Sequence, residues 1–483
     1  MFANKTIPKI TLLVRSLNTS VSLYKKRENP IQRTFRILIN DVANTFKGVT
    51  NKKSRNTVVT QEFPSYTDVV IIGGGGIGSS IAYWLKEHTS FDGFNVLVIE
   101  KDLTYSTCST SLSVGGLRQQ FSLTENIQMS LYGYEFLRTL KQRFGPQAEV
   151  NFTPHGYLLL ASEEGAELLI ANSKVQNELG ANNVVLTKNE IKDRFPWMNV
   201  EDVAIGCLGL EKEGWFDAWS LLQILKKAAV EKGARYLNAE VVDFKFEAKP
   251  EVVVSGFDDQ VYEQSNELVV KMPDGETRTV NFALCVVAAG PQSGQVARLL
   301  KIGNGSGILN IPLPVEPRKR YVYSYLCQDN APGLNTPMTI DHTGAYFRRD
   351  GLGGNFIAGI SPDVDEEPET TNLDVNFEFF DRKLWPILAH RVPAFNALKV
   401  CSAWSGFYEY NTYDENGIIG PHPLYGNIFF ATGFSGHGIQ QAPAVGRAIS
   451  ELILEGRFQS IDLTRLGFDR LLLDKPMYEA RII

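Results

Sequence analysis

Apolar and polar positions along the chain form their clearest pattern between residues 68 and 100. The run 68–72 is apolar at every position after the first, as expected for a parallel strand that is covered on both faces. A glycine-rich turn follows, the pattern then predicts a helix over 79–87, and a second apolar run occupies 96–100. This succession predicts a strand–helix–strand unit with a phosphate-binding turn.

The rest of the chain alternates between helical and extended patterns. Helices are predicted over 126–144, 164–179, 221–231 and 442–454, and a loop over 106–121. Strands are predicted over 156–160, 203–208, 240–246, 252–280, 283–289, 312–325, 339–348 and 428–432. The predicted fold class is therefore α/β (α+β), with a Rossmann-type dinucleotide-binding domain interleaved with an antiparallel-sheet substrate or cap domain.

This interleaving sets the expected domain boundaries. The dinucleotide-binding domain is expected to take residues 61–150, 211–300 and 411–483, and the cap domain residues 151–210 and 301–410. Residues 1–60 precede the first predicted strand and are expected to form a leader.

Charge is unevenly divided between this leader and the rest of the chain. Residues 1–57 hold twelve Lys or Arg and two acidic residues, a net +10, whereas the whole chain carries −6. A basic, acid-poor segment rich in Ser, Thr and Asn is typical of a mitochondrial transit peptide. The alternative is a disordered basic arm that binds RNA or anionic lipid. The acidic remainder argues against nucleic-acid binding by the molecule as a whole.

Cysteine spacing and hydropathy bear on two further classes. The five cysteines are scattered, without a Cys-x-x-Cys or a paired histidine spacing, so reduced thiols and no metal site are predicted. No run reaches the roughly 18 apolar residues that a membrane-spanning helix needs. We expect a protein that is soluble or peripheral to a membrane.

The pattern Gly73-x-Gly75-x-x-Gly78 stands where a phosphate-binding turn must stand, after a strand and at the start of a helix. The first glycine permits the tight turn, the second lets a pyrophosphate approach the backbone, and the third lets helix and strand pack closely. Glu100 ends the second strand, where a carboxylate can accept hydrogen bonds from ribose hydroxyls. Dinucleotide binding is predicted, although this motif alone does not separate NAD from FAD.

A second glycine-rich turn distinguishes the two cofactors. The segment that contains Gly433, Gly436, His437 and Gly438 follows a predicted buried strand and precedes a helix. A helix N-terminus there can stabilise the anionic edge of a reduced isoalloxazine. Two glycine-lined helix starts suit one extended cofactor, so FAD is favoured over a nicotinamide. The alternative is a plain strand–helix turn with glycines needed for packing.

With these residues in view, the chain resembles the D-amino-acid oxidase and sarcosine dehydrogenase superfamily. The resemblance rests on DVVIIGGGGIGSSIAYWL, VLVIEKD, STSLSVGGLRQQF, VVAAGP and ATGFSGHGIQQAPAVGRAISELI. It implies that FAD is bound on its ADP side by Gly73, Gly75, Gly78, Glu100, Lys101, Val241, Ala289 and Gly290. It further implies that Arg118, Gly433, Gly436, His437, Gly438 and Ile439 lie along the flavin, with His437 near N5 or the substrate.

Departures from the family pattern change what is expected of the chemistry. Ser113 and Phe407 stand where some relatives tether FAD covalently, so the resemblance implies non-covalent FAD. Phe121 and Gln440 stand where sarcosine oxidases place an Arg and a Lys that clamp the substrate carboxylate. Arg320, Arg348 and Arg349 are candidates to replace that clamp, and Tyr346 and Tyr408 are candidates to line the pocket, although core packing is as good an explanation for both tyrosines. His437, Arg348 and Tyr346 are thus the candidate catalytic residues.

One further departure concerns oxygen. Ile357 stands where monomeric oxidases place a Lys over the flavin, which favours a dehydrogenase over an oxidase.

Two functions remain open on this resemblance. Strings such as LPVEPRKRYVY, GAYFRRDGLGGNF and YNTYDENGIIGPHPL are most similar to a mitochondrial group within the superfamily that is associated with assembly of respiratory complex I. This implies a matrix-side protein, soluble or peripheral to the inner membrane, whose partners are complex I subunits or assembly intermediates. The alternative is an active dehydrogenase that oxidises the C–N bond of an amino acid or N-methyl amine.

Overall fold

The computed structural model describes residues 63–89, 93–252 and 261–480. The leader predicted over 1–60 and part of the extended segment predicted over 252–280 lie outside the described residues. Residues 64–483 belong to one compact unit.

Strands and helices alternate along this unit as follows. The strands are β1 (Tyr66–Ile72), β2 (Val96–Glu100), β3 (Gly116–Leu117), β4 (Tyr157–Ala161), β5 (Asn183–Thr187), β6 (Ile205–Gly209), β7 (Gly214–Trp215), β8 (Arg235–Asn238), β9 (Glu240–Ala248), β10 (Glu263–Lys271), β11 (Thr277–Val287), β12 (Val315–Leu326), β13 (Met338–Ile340), β14 (Tyr346–Arg349), β15 (Asn355–Gly359), β16 (Lys399–Asn411), β17 (Ile418–Pro421) and β18 (Ile428–Thr432). The α-helices are α1 (Gly76–His88), α2 (Thr124–Arg138), α3 (Leu140–Phe144), α4 (Ala166–Glu178), α5 (Lys188–Arg194), α6 (Ala218–Glu231), α7 (Ser293–Leu299), α8 (Phe377–Phe379), α9 (Trp385–Arg391), α10 (Gly438–Glu455) and α11 (Asp469–Leu472).

The first sheet brings together three loops that matter for the site. Its strand order is β17-β18-β11-β1-β2-β8, with β10 paired to β11 and β9 paired to β10. Strand β1 is parallel to β11 and β2, and β11 is parallel to β18. Because the carboxyl ends of parallel strands meet at one edge, the turns that follow β1, β11 and β18 lie side by side.

The second sheet covers the cap side of the molecule. Its order is β16-β12-β15-β14-β13-β4-β6-β5, and its neighbours are antiparallel except for β4 and β13, which are parallel. That pair joins two distant parts of the chain, so no hairpin forces them to run in opposite directions. The predicted fold class, a Rossmann-type α/β domain with a second, mostly antiparallel sheet, is confirmed.

Packing between α1 and α10 fixes how the two helix starts approach each other. A Cβ at Gly446 of α10 would lie 2.2 Å from Ser80 Oγ of α1, so only glycine permits this distance between the helices. At the cavity end, a Cβ at Gly76 would lie 2.9 Å from Ile439 Cδ1. The start of α1 and the start of α10 are therefore neighbours.

Several predicted elements differ from those observed. The helix predicted over 126–144 is divided into α2 and α3 at Thr139, whose hydroxyl donates to the carbonyls of Glu135 and Phe136. The strand predicted over 339–348 is a hairpin, β13 and β14. The loop predicted over 106–121 contains the short strand β3. The long strand β16 was not predicted, because its charged, polar and aromatic residues do not alternate regularly.

Candidate functional site

The turn after β1 contains two glycines that the backbone itself requires. Gly73 has φ +102°, and a Cβ there would lie 2.3 Å from Ala288 O. A Cβ at Gly78 would lie 1.9 Å from Gly73 O. Any larger residue at either position would collide with main-chain atoms, so these glycines serve the tight turn and the helix–strand packing.

Gly75 differs, because little of the protein crowds it. Its φ is −64°, and the nearest atom to an added Cβ would be Cys108 Sγ at 3.4 Å. Helix α1 begins here without a side-chain cap from Gly75 and without an acidic residue in its first turn. Only side-chain atoms, those of Cys108 and Thr110, lie within 4 Å of that Cβ, and Thr110 Oγ1 accepts from Gly76 N at 3.1 Å. A pyrophosphate needs backbone N–H groups at the positive end of a helix.

Glu100 lies at this turn as predicted. Its Oε2 accepts from Gly74 N at 2.7 Å, and its Oε1 accepts from Asp102 N at 2.9 Å. These two bonds hold the carboxylate at the carboxyl end of β2, beside the start of α1. This is the position from which an acidic residue accepts from ribose hydroxyls.

The other predicted residues of the ADP side are spread more widely. The Lys101 side chain is 69% exposed and pairs with Glu240 Oε1 at 2.6 Å, so its ammonium group is directed away from the turn. Val241 follows in β9 and is half-buried. Ala289 and Gly290 follow β11, and Gly290 has φ +53°. The structure thus places Ala289 and Gly290 at the same sheet edge as the glycine turn.

A cavity of about 400 Å³ opens between the two helix starts and the second sheet. Gly76 and Ile77 line it from α1, and the segment 435–440 lines it from the start of α10. The sheet side is provided by strands β4, β12, β13, β14 and β16 together with the loop before β3. Among the predicted flavin-side residues, Arg118, Gly436, His437, Gly438 and Ile439 all line this cavity, whereas Gly433 is not among the lining residues.

His437 and Arg118 form a contact in the wall of this cavity. Arg118 Nη2 lies 3.2 Å from His437 Nε2, and the imidazole packs edge-on against Phe121 at 5.0 Å. Burial, reinforced by the Arg118 charge, lowers the pKa of His437 to about 3. Since arginine can only donate, Nε2 accepts and the proton of the neutral ring is on Nδ1. His437 is thus a neutral hydrogen-bonding group at physiological pH.

Two glycines make room for the hydroxyl groups of the cavity-lining residues Tyr346 and Tyr157. A Cβ at Gly359 would lie 2.5 Å from Tyr346 Oη, and one at Gly116 would lie 1.9 Å from Tyr157 Oη. Burial raises the pKa of Tyr346 to about 12, so the phenol stays protonated. Both tyrosines line the cavity, and burial also raises the pKa of Tyr157, so both hydroxyl groups are neutral.

The three arginines proposed as a replacement clamp already have partners. Arg320 lines the cavity but donates to both carboxylate oxygens of Glu367 at 2.8 Å, and to Tyr408 Oη at 3.1 Å. The acidic stretch that contains Glu367 therefore reaches the cavity wall.

Arg348 and Arg349 donate mainly to main-chain carbonyls. Arg348 donates to Val114 O at 3.1 Å and to Arg349 O at 2.8 Å, and its guanidinium lies 5.3 Å from the centre of the Trp215 ring. Arg349 donates to the carbonyls of Pro332 and Gly353. Neither arginine is among the cavity-lining residues, so the structure does not bring Arg348 to the candidate catalytic group.

The positions that depart from the family pattern are placed as follows. Ser113 and Phe407 line the cavity, and neither has the imidazole or thiol that an 8α linkage uses. Gln440 Oε1 accepts from Arg118 N at 2.8 Å, so Gln440 holds the arginine's backbone in place. Ile357 is buried within β15 and is not among the lining residues.

Two buried acids near the site, Glu409 and Glu213, were not predicted from the sequence. Glu409 of β16 lines the cavity, and its Oε2 accepts from Thr432 Oγ1 at 2.8 Å and from Gly433 N at 3.1 Å. Glu213 accepts from Gln119 N at 2.7 Å and from Gln120 Nε2 at 2.9 Å. Burial raises the pKa of each to about 7. In the sequence, the only indication of Glu409 is its position as an acidic residue between two tyrosines in an aromatic stretch.

No cluster of three or more His, Cys, Asp or Glu suited to a metal ion occurs in the described part of the chain. In the same part, no helix is long and apolar enough to cross a bilayer.

Comparison with known proteins places this site in a family. A family model described as FAD dependent oxidoreductase matches residues 68–452. The chain is 48% identical over 478 residues to the FAD-dependent oxidoreductase domain-containing protein 1 homolog of Drosophila melanogaster, which covers 93% of this chain and 92% of that protein. It is 48% identical over 428 residues to FAD-dependent oxidoreductase domain-containing protein 1 of Xenopus laevis, which covers 87% of this chain and 85% of that protein.

Solved structures show the same architecture. L-Proline dehydrogenase from P. horikoshii superimposes with a TM-score of 0.70 at 26% identity, over 86% of this chain and 100% of that chain.

The geometry described above fits the cofactor of this family. The helix start at Gly75, where no main-chain atom crowds an added Cβ, suits the pyrophosphate. Glu100 suits the ribose, and the adjoining cavity at the start of α10 suits the isoalloxazine. The chain belongs to the FAD dependent oxidoreductase family, and FAD is its cofactor.

Proposed function

We propose that this flavoprotein acts in mitochondria, where it holds FAD non-covalently and is required for assembly or stability of respiratory complex I. Its partners are then complex I subunits or assembly intermediates, met in the matrix or at the inner membrane. The basic leader over 1–57 supports the location. The resemblance to the mitochondrial group associated with complex I assembly supports the role.

One observation at the site favours this role over turnover of free amino acids. Arg320 is neutralised by Glu367, and Arg348 and Arg349 donate to main-chain carbonyls. A substrate carboxylate in the cavity needs a charged partner, because burying it unpaired costs several kcal/mol. The three arginines predicted to replace such a clamp are already engaged, and the lining Arg118 contacts His437.

A cell lacking the protein provides the test. Wild-type protein and Gly75→Ala, which we expect to lose FAD without unfolding, are each expressed there, and mature complex I is measured by native gel electrophoresis. We expect the wild type to restore complex I and Gly75→Ala to fail. Equal complex I with and without any form of the protein would contradict the proposal.

The cavity itself favours a second candidate, a dehydrogenase of a small amine or amino acid. L-Proline dehydrogenase shares the fold at 26% identity, and 4-methylaminobutanoate oxidase is 26% identical over 409 residues. FAD, when bound, accepts two electrons from such a substrate. Tyr346 and neutral His437 then orient the amine by hydrogen bonds, and the buried wall excludes water.

Anaerobic titration of the holoprotein with N-methyl and other amino acids tests this candidate. Bleaching of the flavin band by one amine, slowed in Tyr346→Phe, would support turnover. If the same Tyr346→Phe protein restored complex I fully in cells, the assembly role would be independent of that turnover. An unchanged flavin spectrum with every amine would leave the dehydrogenase without support.

A further inference from the structure

Glu409 lies where two glycine-containing turns meet, the turn between β18 and α10 and the turn after β11. Its Oε2 accepts from Thr432 Oγ1 and Gly433 N. A Cβ at Gly438 would lie 3.1 Å from Glu409 Oε1, and one at Gly290 would lie 4.0 Å from Oε2. The carboxyl group thus stands beside the first residue of α10, where the cavity opens.

The two oxygens of this carboxyl group have different surroundings. Oε2 is satisfied as an acceptor by a hydroxyl and a main-chain N–H. Neither of these two donors bonds Oε1, which belongs to a cavity-lining residue. This division is what a neutral carboxylic acid adopts, with one oxygen accepting and the other free to donate its proton.

Within the described residues, Glu409 forms no ion pair, because the nearby arginines pair with other acids. From β12, the neighbouring Arg318 pairs with Glu316 at 2.7 Å and lies 3.8 Å from Glu367. Arg320, also on β12, pairs with Glu367. A buried carboxylate without a cation is costly, and protonation removes that cost.

Other titratable groups also lie near Glu409, at the start of α10, on β16 and in the loop before α2. His437, from the start of α10, is neutral because its pKa lies at about 3, and Arg118 beside it is a permanent cation. Tyr408 and Tyr410 flank Glu409 on β16, and Tyr410 donates to Glu415 Oε1 at 2.9 Å. The turn after β11 contributes Gly290, which has no side chain to titrate.

We propose that Glu409 is a cofactor-binding residue that holds a proton and, as the neutral acid, donates from Oε1 to an acceptor atom on the isoalloxazine of bound FAD. A donor at this position would complement the electron-rich edge of the flavin, which the start of α10 already favours. The inference concerns the cofactor alone and does not depend on whether the protein turns over a substrate.

The pKa of Glu409 supports this assignment and sets the pH range of the test. Burial raises it to about 7 before any ligand is bound, although the Thr432 hydroxyl and main-chain N–H groups of the turn after β18 oppose this rise. A bond donated to FAD stabilises the protonated form, so FAD binding raises this pKa further. FAD affinity is then full below about pH 6.5 and falls as the pH rises through the pKa, by up to about tenfold per pH unit.

The experiment compares wild type with Glu409→Gln. FAD is removed and added back, and its dissociation constant is measured by flavin fluorescence between about pH 5.5 and about pH 8.5. The Gln side chain donates to the cavity and accepts from Thr432 at every pH. We therefore expect the wild-type constant to rise about tenfold above pH 7, and the Glu409→Gln constant to remain at the low-pH wild-type value.

Two controls separate this role from a structural one. Glu409→Leu removes the donor, so FAD is bound more weakly at every pH and without pH dependence. Glu213→Gln removes another buried acid whose pKa lies at about 7 but which does not line the cavity, so its pH profile should match the wild type. A flat wild-type profile, or the same slope in wild type and Glu409→Gln, would overturn the proposal.

Discussion

At the scale of single residues, the glycine turn shows how one motif combines two requirements. Gly73 and Gly78 face main-chain atoms of the protein at distances no Cβ tolerates, whereas a Cβ at Gly75 would make only ordinary contacts with two side chains at the start of α1. The fold needs the first two and the ligand needs the third. This division could not be read from the spacing, which treats the three alike.

We therefore expect Gly75→Ala to lose FAD binding and Gly78→Ala to lose stability. The methyl group added at position 75 meets no protein atom closer than 3.4 Å, so we expect a folded protein whose FAD content falls at least tenfold. The Gly78 variant places Cβ 1.9 Å from Gly73 O, and we expect destabilisation of about 3 kcal/mol or more. Flavin absorbance per protein and thermal unfolding distinguish the two. Full FAD in Gly75→Ala would contradict the assignment of the pyrophosphate site.

The Arg320–Glu367 pair allows a second prediction at this scale. Glu367→Gln leaves Arg320 with an uncompensated charge in the cavity wall, which should bind a small carboxylate in place of the lost partner. We expect affinity for such anions to increase about tenfold, equivalent to ~1.4 kcal/mol, measured from the perturbation of the flavin spectrum. Glu366→Gln is the matched control, because Glu366 pairs with Arg382 at 2.8 Å. Equal anion binding in both variants would show that Arg320 is not accessible.

At the scale of elements, helix α2 illustrates a cap supplied from far along the chain. Leu123, the residue at its N-terminal boundary, has no side chain that can accept a hydrogen bond. Glu479 supplies the acceptor, with Oε2 bonded to Ser122 N at 2.6 Å and to Leu123 N at 3.2 Å. The tail therefore closes the loop that leads from the cavity wall into α2.

Glu479→Gln should weaken this closure. A neutral amide removes the charge that favours the positive end of the helix and keeps only one acceptor oxygen, so we expect a loss of about 1 kcal/mol in the free energy of unfolding. Urea denaturation measures the difference. Glu164→Gln, an exposed substitution on another loop, should stay within about 0.5 kcal/mol of the wild type. No difference between the two variants would mean that the tail does not cap α2.

At the scale of the whole molecule, the uneven charge suggests that the basic leader and the rest of the chain have separate roles. Residues 1–57 carry +10 while the complete chain carries −6. We predict that this basic leader directs import into mitochondria. Its role can therefore be tested apart from the enzyme fold.

We expect residues 1–60 fused to a fluorescent reporter to accumulate in mitochondria. The same segment with its twelve Lys and Arg replaced by Gln should leave the reporter in the cytosol, because the positive charge that import requires is gone. Imaging against a mitochondrial marker measures both. A reporter that is diffuse with the native segment would remove the support for mitochondrial location.

The sequence by itself determined the properties that depend on neighbouring residues. The strand–turn–helix unit and Glu100 are local: a continuous apolar run, a glycine spacing and a terminal acid lie within about one unit of chain, and each was found where it was predicted. The class of the fold followed from the same periodicities. The hydrophobic pattern indicates which positions of one element are buried, and this was sufficient to predict the class of the fold.

Tertiary structure decided which polar groups reach the cavity and in what state. Glu409, Thr432 and Gly433 meet only because β16 passes beside the end of β18, and Arg320 is neutralised only because a distant loop returns Glu367 to it. Arg348 is occupied in the same way, because it donates to the carbonyl of Val114, a residue distant in the chain. Such contacts join residues far apart in the chain, and burial then sets their charge, so no spacing in the sequence could have specified them.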